Sequence, residues 1–506
     1  MSRNVAVLAF DLGAASGRAV VGCLGDGRLS IREIHRFRND PVKYNGELHW
    51  DIPRIWGEIQ STLGSLGANG IEVLASIGVD TWGVDYGLLG EGGVLLENPY
   101  HYRDSRTNGM MERVFERVSR DRIYHTTGIQ FLPINTLYQL YAAAQRTPKV
   151  LAAADFLVTI PDLINFWLTG EVTCEYTNAT TTQFLNCRSG DWSRELLRDL
   201  GLPTHMLAPV VQPGTVIGGL IPDLAEHAGL DSTAVVAPAC HDTGSAVAAV
   251  RATGKTAFLS SGTWSLLGTE VKAPVVTAES QRLNFTNEGG VFGTIRLLKN
   301  ITGLWLLEGC RRVWNKNGRS YEWEALMAMS DAEEPFRRIV DPDDPLFVRP
   351  GDMTRAIDEY CLKTDQPAPH GPGSYVRAVL EGLALKYRIV LEQLELLTGI
   401  PVEQIRVIGG GSQNSVLNQF TADATGRKVL AGPAEATALG NLAMQMVSIG
   451  AIASLDEARD LIEQSFPARV FEPAETEKWD SAYSRLLSYC GEGSAARRLE
   501  AAPKLR

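Results

Sequence analysis

The sharpest change of pattern along the chain falls at residues 234–247. Ala234, Val235, Val236 and Ala237 form a short apolar run, the mark of a buried strand. The stretch Ala239-Cys240-His241-Asp242-Thr243-Gly244-Ser245-Ala246-Val247 then turns small and opens a helix. Residues 5–10 are apolar in the same way and lead into Asp11-Leu12-Gly13-Ala14-Ala15-Ser16-Gly17-Arg18, after which residues 19–22 resume strand character. That predicts a strand, a tight loop of small residues and a strand. Residues 256–268 repeat the pattern half a chain later, around Ser260-Ser261-Gly262-Thr263. Two such hairpins suggest a duplicated unit, with a boundary near residues 251–255.

Between these landmarks, residues 29–37 alternate as a strand does. Residues 51–66 read as a helix capped by Asp51, with Pro53 in its first turn and Ile52, Ile55, Trp56, Ile59, Leu63 and Leu66 on one face. Residues 75–79 are a strand that delivers Asp80-Thr81-Trp82-Gly83-Val84-Asp85. Residues 342–373 are rich in Pro, Asp and Gly and predict irregular structure. Ser374 then caps a long helix to Thr398, with Gly399 as its stop. A strand over 404–408, the turn Gly409-Gly410-Gly411-Ser412-Gln413-Asn414 and a helix to Thr425 follow, then a strand over 428–431 and a helix over 434–449. Strands that alternate with helices in this way predict an α/β fold.

Composition narrows the class. At 506 residues the chain exceeds one ordinary core. A hydrophobic content of 44% and a charged content of 21% are those of a soluble globular protein. The net charge of −11 argues against a nucleic-acid partner, and no apolar run is long enough to span a membrane. Asp11 interrupts the first apolar run, so the start of the chain does not read as a signal peptide. Cys23, Cys174, Cys187, Cys240, Cys310, Cys361 and Cys490 are scattered, which suits reduced thiols in a cytoplasmic protein and offers no zinc site.

Five stretches are candidates for chemistry. Asp242 stands at a strand-to-helix turn, where ligand-facing residues sit in open α/β sheets, yet it reads equally as a helix cap accepting from the Ser245 N–H. A helix N-terminus would hold its carboxylate ionised. The loop after Asp11 exposes backbone N–H groups to an anion, and it lacks the G-K-[ST] ending of a P-loop. Asp11 itself, an unpaired carboxylate beside an apolar strand, would be relieved by Mg²⁺ or its water shell. Residues 80–85 read either as a sugar site, with carboxylates for hydroxyls and an indole for C–H faces, or as a polar turn around a core tryptophan. Residues 102–107 and 177–183 either line the same pocket or are solvated loops.

Together these stretches resemble the FGGY carbohydrate kinases, over nearly the whole of residues 5–473. The resemblance is carried by residues 11–18, 80–85, 102–109, 128–140, 175–183, 241–247, 259–266, 287–290, 298–306 and 409–414. It is most specific in stretches such as Gly128-Ile129-Gln130-Phe131-Leu132-Pro133, which point to the branch acting on L-rhamnulose. It implies two actin-like (ribonuclease H-like) ATPase domains around a central cleft. Residues 1–252 would bind the sugar and carry the first phosphate loop, 253–490 would bind nucleotide, and 491–506 would be a frayed tail. It implies transfer of the ATP γ-phosphoryl group to the C1 hydroxyl of L-rhamnulose, with Mg²⁺. By matching motif, Ala14, Ala15, Ser16, Gly17 and Arg18 would bind ATP phosphates. Thr263, Glu308 and Gly410 would contact nucleotide, with Glu308 in place of a family Gln. Gly83, His241, Asp242, Thr243 and Asn300 would contact sugar, Asp242 would be the general base, and Asp11 would hold Mg²⁺ through water. Thr421 and Thr425 replace a cysteine pair of some relatives, so no disulfide is expected there. The competing readings are a kinase of the same family for another ketose, and a nucleotide-binding actin-like ATPase without a sugar substrate.

Overall fold

The computed structural model describes residues 5–348 and 351–490. The expected tail at 491–506 lies outside the described residues. The chain forms two compact units, and neither is continuous in sequence. The first gathers residues up to Arg251 together with 270–297 and 436–467, and the second gathers 252–269, 298–435 and the residues after 467. A linear division near residue 252 therefore leaves two segments of the second half with the first unit.

We number only the strands of the two large sheets. In the first unit these are β1 (Val5–Leu12), β2 (Ser16–Gly25), β3 (Arg28–Arg38), β4 (Ser76–Thr81), β5 (Thr215–Gly219) and β6 (Ala234–Ala237). Their spatial order is β5-β6-β4-β1-β2-β3. β1 and β6 both run parallel to β4, while β2 and β5 are antiparallel neighbours. Three adjacent parallel strands therefore present their carboxyl ends along one edge, where open α/β sheets bind ligands. β4 is buried along its whole length, which explains its continuous small and apolar sequence.

Helix α1 (Ile52–Gly64) covers one face. Asp51 caps it through the Arg54 N–H, and Ile52, Ile55, Ile59 and Leu63 enter a core with Leu8, Phe10, Ile77 and Val79. Helix α7 (Ala436–Ser448) packs on β1 and β4, which is why residues 436–467 join this unit. A polar ladder locks it there. Asn441 Nδ2 donates to Asp80 at 2.6 Å, Gln445 Nε2 to Asn441 Oδ1 at 2.7 Å, and Ser76 Oγ to Gln445 Oε1 at 2.7 Å. Helix α2 (Asp242–Ala248) meets α7 so closely that a Cβ on Gly440 would lie 1.8 Å from the Ser245 carbonyl oxygen.

In the second large sheet, β7 (Thr256–Ser261), β8 (Trp264–Val271), β9 (Ile295–Thr302), β10 (Gln404–Ile408), β11 (Lys428–Ala431) and β12 (Arg469–Phe471) run in the order β9-β8-β7-β10-β11-β12, with a seventh strand, Thr286–Gly289, at the edge beside β9. That strand and residues 270–271 and 295–297 belong to the first unit, the rest to the second. β7, β10 and β11 are parallel, with β8 and β12 antiparallel to their neighbours. Apart from the extra edge strand, this order repeats that of the first sheet, the topological counterpart of the paired hairpins in the sequence.

Two expectations are corrected. Residues 342–373 are not wholly irregular: they contain helix α4 (Met353–Lys363), capped by Asp352. Its buried Met353, Ala356, Ile357, Tyr360 and Cys361 keep helical spacing, which the flanking Pro and Gly obscured. The long helix α5 (Pro372–Thr398) starts before Ser374, with Gly371 at its N-cap. Ser374 instead accepts from the His370 N–H at 2.7 Å. Gly399 ends it in the left-handed conformation, as expected. Helix α6 (Ser415–Thr425) is capped by Asn414. The Thr421 and Thr425 hydroxyls donate back to the Leu417 and Thr421 carbonyls of the same helix. The seven cysteines are thiols, with no two bridged.

The Gly440 contact gives a test of the α2–α7 packing. Gly440→Ala should destabilise the protein by about 1–3 kcal/mol, the usual cost of overpacking. A lowered urea midpoint at unchanged slope is the expected result.

Candidate active site

The parallel strand ends of the first sheet bring three carboxylates together. Asp11 on β1 lies opposite Asp80 on β4, and Thr81 bridges His241, the residue before Asp242. Asp11 is paired with Arg18, across the hairpin, whose Nε and Nη2 donate to Oδ2 at 2.9 and 2.7 Å. Arg18 is thus tied to Asp11, rather than standing as a bare anion contact. Asp80 is fully buried. Its Oδ2 accepts from Asn441, and its Oδ1 has no hydrogen-bond partner among the described residues. Burial, then the charge of Asp11, pushes its pKa well above the carboxylate range.

Asp242 is the first residue of α2, and His241 takes the N-cap position. The Ser245 N–H bonds the His241 carbonyl, so Asp242 is not the side-chain cap that one reading of the sequence allowed. Its Oδ1 instead accepts from the N–H (2.5 Å) and hydroxyl (3.1 Å) of Thr243, and His241 Nε2 lies 3.3 Å from the same oxygen. Among the described residues no donor reaches Oδ2, and 31% of the side chain remains open. The expected depression of its pKa is also corrected. Loss of water raises it and Asp11 adds to the rise, outweighing His241 and the Thr243 donors.

The loop after Asp11 is tied from behind. Ser16 and Ala15 carbonyls accept from the Gly13 and Asn39 N–H groups at 2.9 and 3.0 Å, and the Gly13 carbonyl from Asn39 Nδ2 at 2.9 Å. Ala14 and Ser16 are partly open and Ala15 is exposed. Gly17 is required, because a Cβ there would lie 2.3 Å from the Phe37 ring.

The 80–85 stretch is not an open sugar surface. Asp80, Trp82 and Asp85 are all buried. Asp85 is a hub: Oδ2 accepts from the indole N–H groups of Trp50 (2.6 Å) and Trp82 (3.0 Å) and from the Tyr102 N–H (3.2 Å), and Oδ1 from Gln139 (2.7 Å). Only Gly83 and Val84 of this stretch are partly open. A Cβ on Gly83 would stand 3.3 Å from His241 Nε2, so Gly83 does join the His241–Asp242 cluster. Residues 177–183 are neither open pocket nor solvated loop: they are buried throughout.

Three residues to which the sequence assigned no role organise this cluster. Glu175 accepts from the Thr177 and Asn178 backbones, the Thr177 hydroxyl and the Cys240 N–H (3.0 Å), fixing the end of β6. Arg296 on β9 is fully buried, with Nη2 3.1 Å from His241 Nδ1 and Nε donating to the Gly289 carbonyl at 2.8 Å. Glu288 Oε2 lies 3.3 Å from Arg296 Nη1 and 3.4 Å from His241 Nδ1. Glu175 and Glu288 fall in the stretches 175–183 and 287–290 that carry the resemblance and Arg296 in none, but no local pattern gives any of the three its role.

In the second unit, Thr263 sits in the β7–β8 loop. That loop is stapled to the start of helix α3 (Trp305–Lys316) by Gly303 N–H to Thr263 O (3.2 Å) and Leu304 N–H to Gly262 O (2.9 Å). Glu308 lies in the first turn of α3. Gly410 is exposed in the turn after β10, and a Cβ on the neighbouring Gly411 would strike Ser261 Oγ at 2.1 Å. Thr263, Glu308 and Gly410 thus share one end of this sheet, a glycine-lined and anion-tolerant surface. Asn300 is half-buried on β9.

Comparison with known proteins bears on these arrangements. Residues 6–249 match the N-terminal domain of the FGGY family of carbohydrate kinases, and residues 257–449 match its C-terminal domain. The chain is 47% identical over 476 residues to a protein named rhamnulokinase from Bacteroides thetaiotaomicron, covering 94% of this chain and 97% of that one. It is 44% identical over 459 residues to a rhamnulokinase from Oceanobacillus iheyensis, covering 91% and 96%. Among solved structures, gluconate kinase from Lactobacillus acidophilus superposes with a TM-score of 0.80 at 17% identity, covering 98% of this chain and 100% of that one. Plasmodium falciparum glycerol kinase with ADP gives 0.76 at 16% identity, covering 96% and 98%. These last two share the fold.

Buried carboxyls behind the site set a pH dependence. Burial pushes Asp162, whose Oδ1 accepts from the Glu175 N–H at 2.9 Å, and Glu175 itself each up to about 7. The unfolded chain releases these protons near pH 4, so folding takes up protons between about pH 4 and 7. Stability should therefore fall as pH rises through that window. Asp162→Asn should shrink the slope by up to one proton, read as the urea-midpoint free energy across pH; an unchanged slope would refute the assignment.

Proposed function

The chain belongs to the FGGY family of carbohydrate kinases, and on that footing we propose that it transfers the γ-phosphoryl group of ATP to the C1 hydroxyl of L-rhamnulose, a step of L-rhamnose breakdown. The long, high-identity matches to rhamnulokinases support the choice of sugar. One observation carries the chemistry: Asp242 gathers its donors on Oδ1 and keeps Oδ2 open.

Oδ2 accepts the proton of the C1 hydroxyl as that oxygen forms its bond to the γ-phosphorus. The bond from phosphorus to the β–γ bridging oxygen breaks, and ADP leaves with the electron pair. The transition state is loose, so positioning and charge neutralisation do most of the catalysis. A raised pKa makes Asp242 a better acceptor in this step. Burial and the neighbouring Asp11 charge oppose ionisation of Asp80. Gly83, His241, Thr243 and Asn300 hold the sugar. Residues 14–18, Thr263 and Gly410 hold ATP, and Glu308, acceptor-only where a Gln could also donate, meets it through a hydroxyl or amine.

The donor set fits a hydrated dication. Asp11 offers hard oxygen at the phosphate loop, the adjacent Asp80 Oδ1 is buried without a partner, and no cluster of three such groups could ligate an ion directly among the described residues. Bound Mg²⁺ would neutralise phosphate charge there, held by Asp11 through water.

A panel of ketoses assayed for sugar-dependent ADP release tests the reading, with the product position set by phosphorus–proton coupling. L-Rhamnulose should give the highest kcat/KM and a C1 phosphate. Preference for another ketose overturns the sugar, and rapid sugar-independent ATP hydrolysis overturns the kinase. Asp242→Asn should lower kcat by about 10²–10⁴, the usual worth of a general base, with KM for ATP little changed. Asp11→Ala should raise the Mg²⁺ concentration needed for half-maximal rate while sugar affinity of the free enzyme is kept; an unchanged Mg²⁺ titration removes the metal role.

A further inference from the structure

Arg296 has no exposed surface, and its three nitrogens face three groups, Nε and Nη2 as hydrogen bonds and Nη1 at ion-pair distance alone. Nε donates to the Gly289 carbonyl at 2.8 Å, Nη1 faces Glu288 Oε2 at 3.3 Å, and Nη2 meets His241 Nδ1 at 3.1 Å. A guanidinium can only donate. The Nδ1 atom it meets must therefore offer a lone pair, and the proton of the neutral ring must stand on Nε2. That nitrogen lies 3.3 Å from Asp242 Oδ1. The opposite tautomer would set Nδ1–H against the guanidinium and turn the Nε2 lone pair onto the Asp242 carboxylate. Only Glu288 Oε2, 3.4 Å from Nδ1, would favour it, and Glu288 also faces Arg296. The backbone of the ring is fixed as well: the His241 N–H donates to Thr177 Oγ1 at 3.1 Å.

We propose that Arg296, braced by Glu288 and the Gly289 carbonyl, is a positioning residue that locks His241 as the Nε2–H tautomer. His241 then gives its proton edge to Asp242 Oδ1, beside the two Thr243 donors. Every donor is spent on one carboxylate oxygen, and Oδ2 is left as the single proton-accepting atom, oriented toward the sugar hydroxyl. Truncating Arg296 frees the ring to change tautomer or rotate, and Asp242 loses both a donor and its orientation. The role rests on Asp242 being the base, which Asp242→Asn tests separately.

The tautomer is read directly on the full-length resting enzyme with ring-¹⁵N histidine, whatever the reaction. There are eight histidines, and the His241 signals are those lost in His241→Gln. A proton on Nε2 and none on Nδ1 at neutral pH is the expected result; a proton on Nδ1, alone or with Nε2, overturns the proposal. Arg296→Met should mix the tautomers and lower kcat about 10- to 100-fold, the worth of one charge-assisted hydrogen bond, without moving KM for ATP. Arg296→Lys, which keeps a donor, should recover part of the loss. A kcat that falls while the His241 spectrum stays unchanged would mean a merely structural role and overturns the proposal, as does an unchanged kcat. Where Arg296→Met does not fold, the wild-type spectrum still decides.

Discussion

The first unit is built around an electrostatic problem: three carboxylates on the ends of three adjacent parallel strands. Like charges so placed repel, and burial removes the water that would screen them. Each carboxylate is answered by its own partner. Asp11 has the Arg18 guanidinium, Asp80 has the Asn441 amide and a raised pKa, and Asp242 has Thr243 and His241. The partners differ in kind because the charges have different work to do. Asp11 faces a cation, Asp80 is fully buried where ionisation is opposed, and Asp242 keeps one oxygen open.

This constraint explains why the unit is discontinuous in sequence. Asn441 belongs to a helix far along the chain, yet it must reach the end of β4. The Ser76–Gln445–Asn441–Asp80 ladder threads along β4 past Gly78, where a Cβ would meet Asn441 Oδ1 at 2.5 Å. A buried polar ladder is stabilising only when its members are satisfied, so it fixes the register of α7 on the sheet. The second sheet repeats the strand order without the charges. Where β1 ends in Asp11-Leu12, β7 ends in Ser260-Ser261, close under the glycines after β10. The glycines and hydroxyls at this edge suit a polyanion even with Glu308 nearby, whereas a carboxylate edge suits a cation and a proton transfer.

The legible part of this was local. Strand-to-turn changes of pattern located Asp11, Asp242 and both hairpins, because those elements are short and apolar and end abruptly. The 80–85 stretch was ambiguous because sequence does not say which way a side chain points. Trp82 and Asp85 face inward to Trp50 and Gln139, and only Gly83 and Val84 face out. The roles of Glu175, Glu288, Arg296 and Asn441 were illegible for another reason, even though the first two lie in stretches that carry the family resemblance. Each acts on a group distant in sequence, and a lone Glu, Arg or Asn inside a strand or helix carries no motif. Helix α4 was hidden by composition, since its apolar spacing sits between segments rich in Pro, Asp and Gly.

Val84 shows how far the fold goes to hold this edge. It has a φ of +70°, a region that costs a β-branched residue about 1–3 kcal/mol. Glycine would adopt that φ without strain, so something in the surroundings enforces it. The Val84 N–H donates to Thr181 Oγ1 at 3.0 Å, while its carbonyl accepts from Thr136 Oγ1 at 2.6 Å and Gln139 Nε2 at 3.2 Å. Three hydrogen bonds, each worth about 1 kcal/mol, offset strain of that size. Gln139 also binds Asp85, so the clamp on Val84 and the hub of the two indoles share a residue. The consequence lies one residue earlier. The reversed backbone at Val84 keeps Gly83 against Thr181 and His241, close enough that a Cβ would stand 3.0 Å from Thr181 Cγ2. The strain is thus spent on bringing an open backbone beside the His241 ring that orients Asp242.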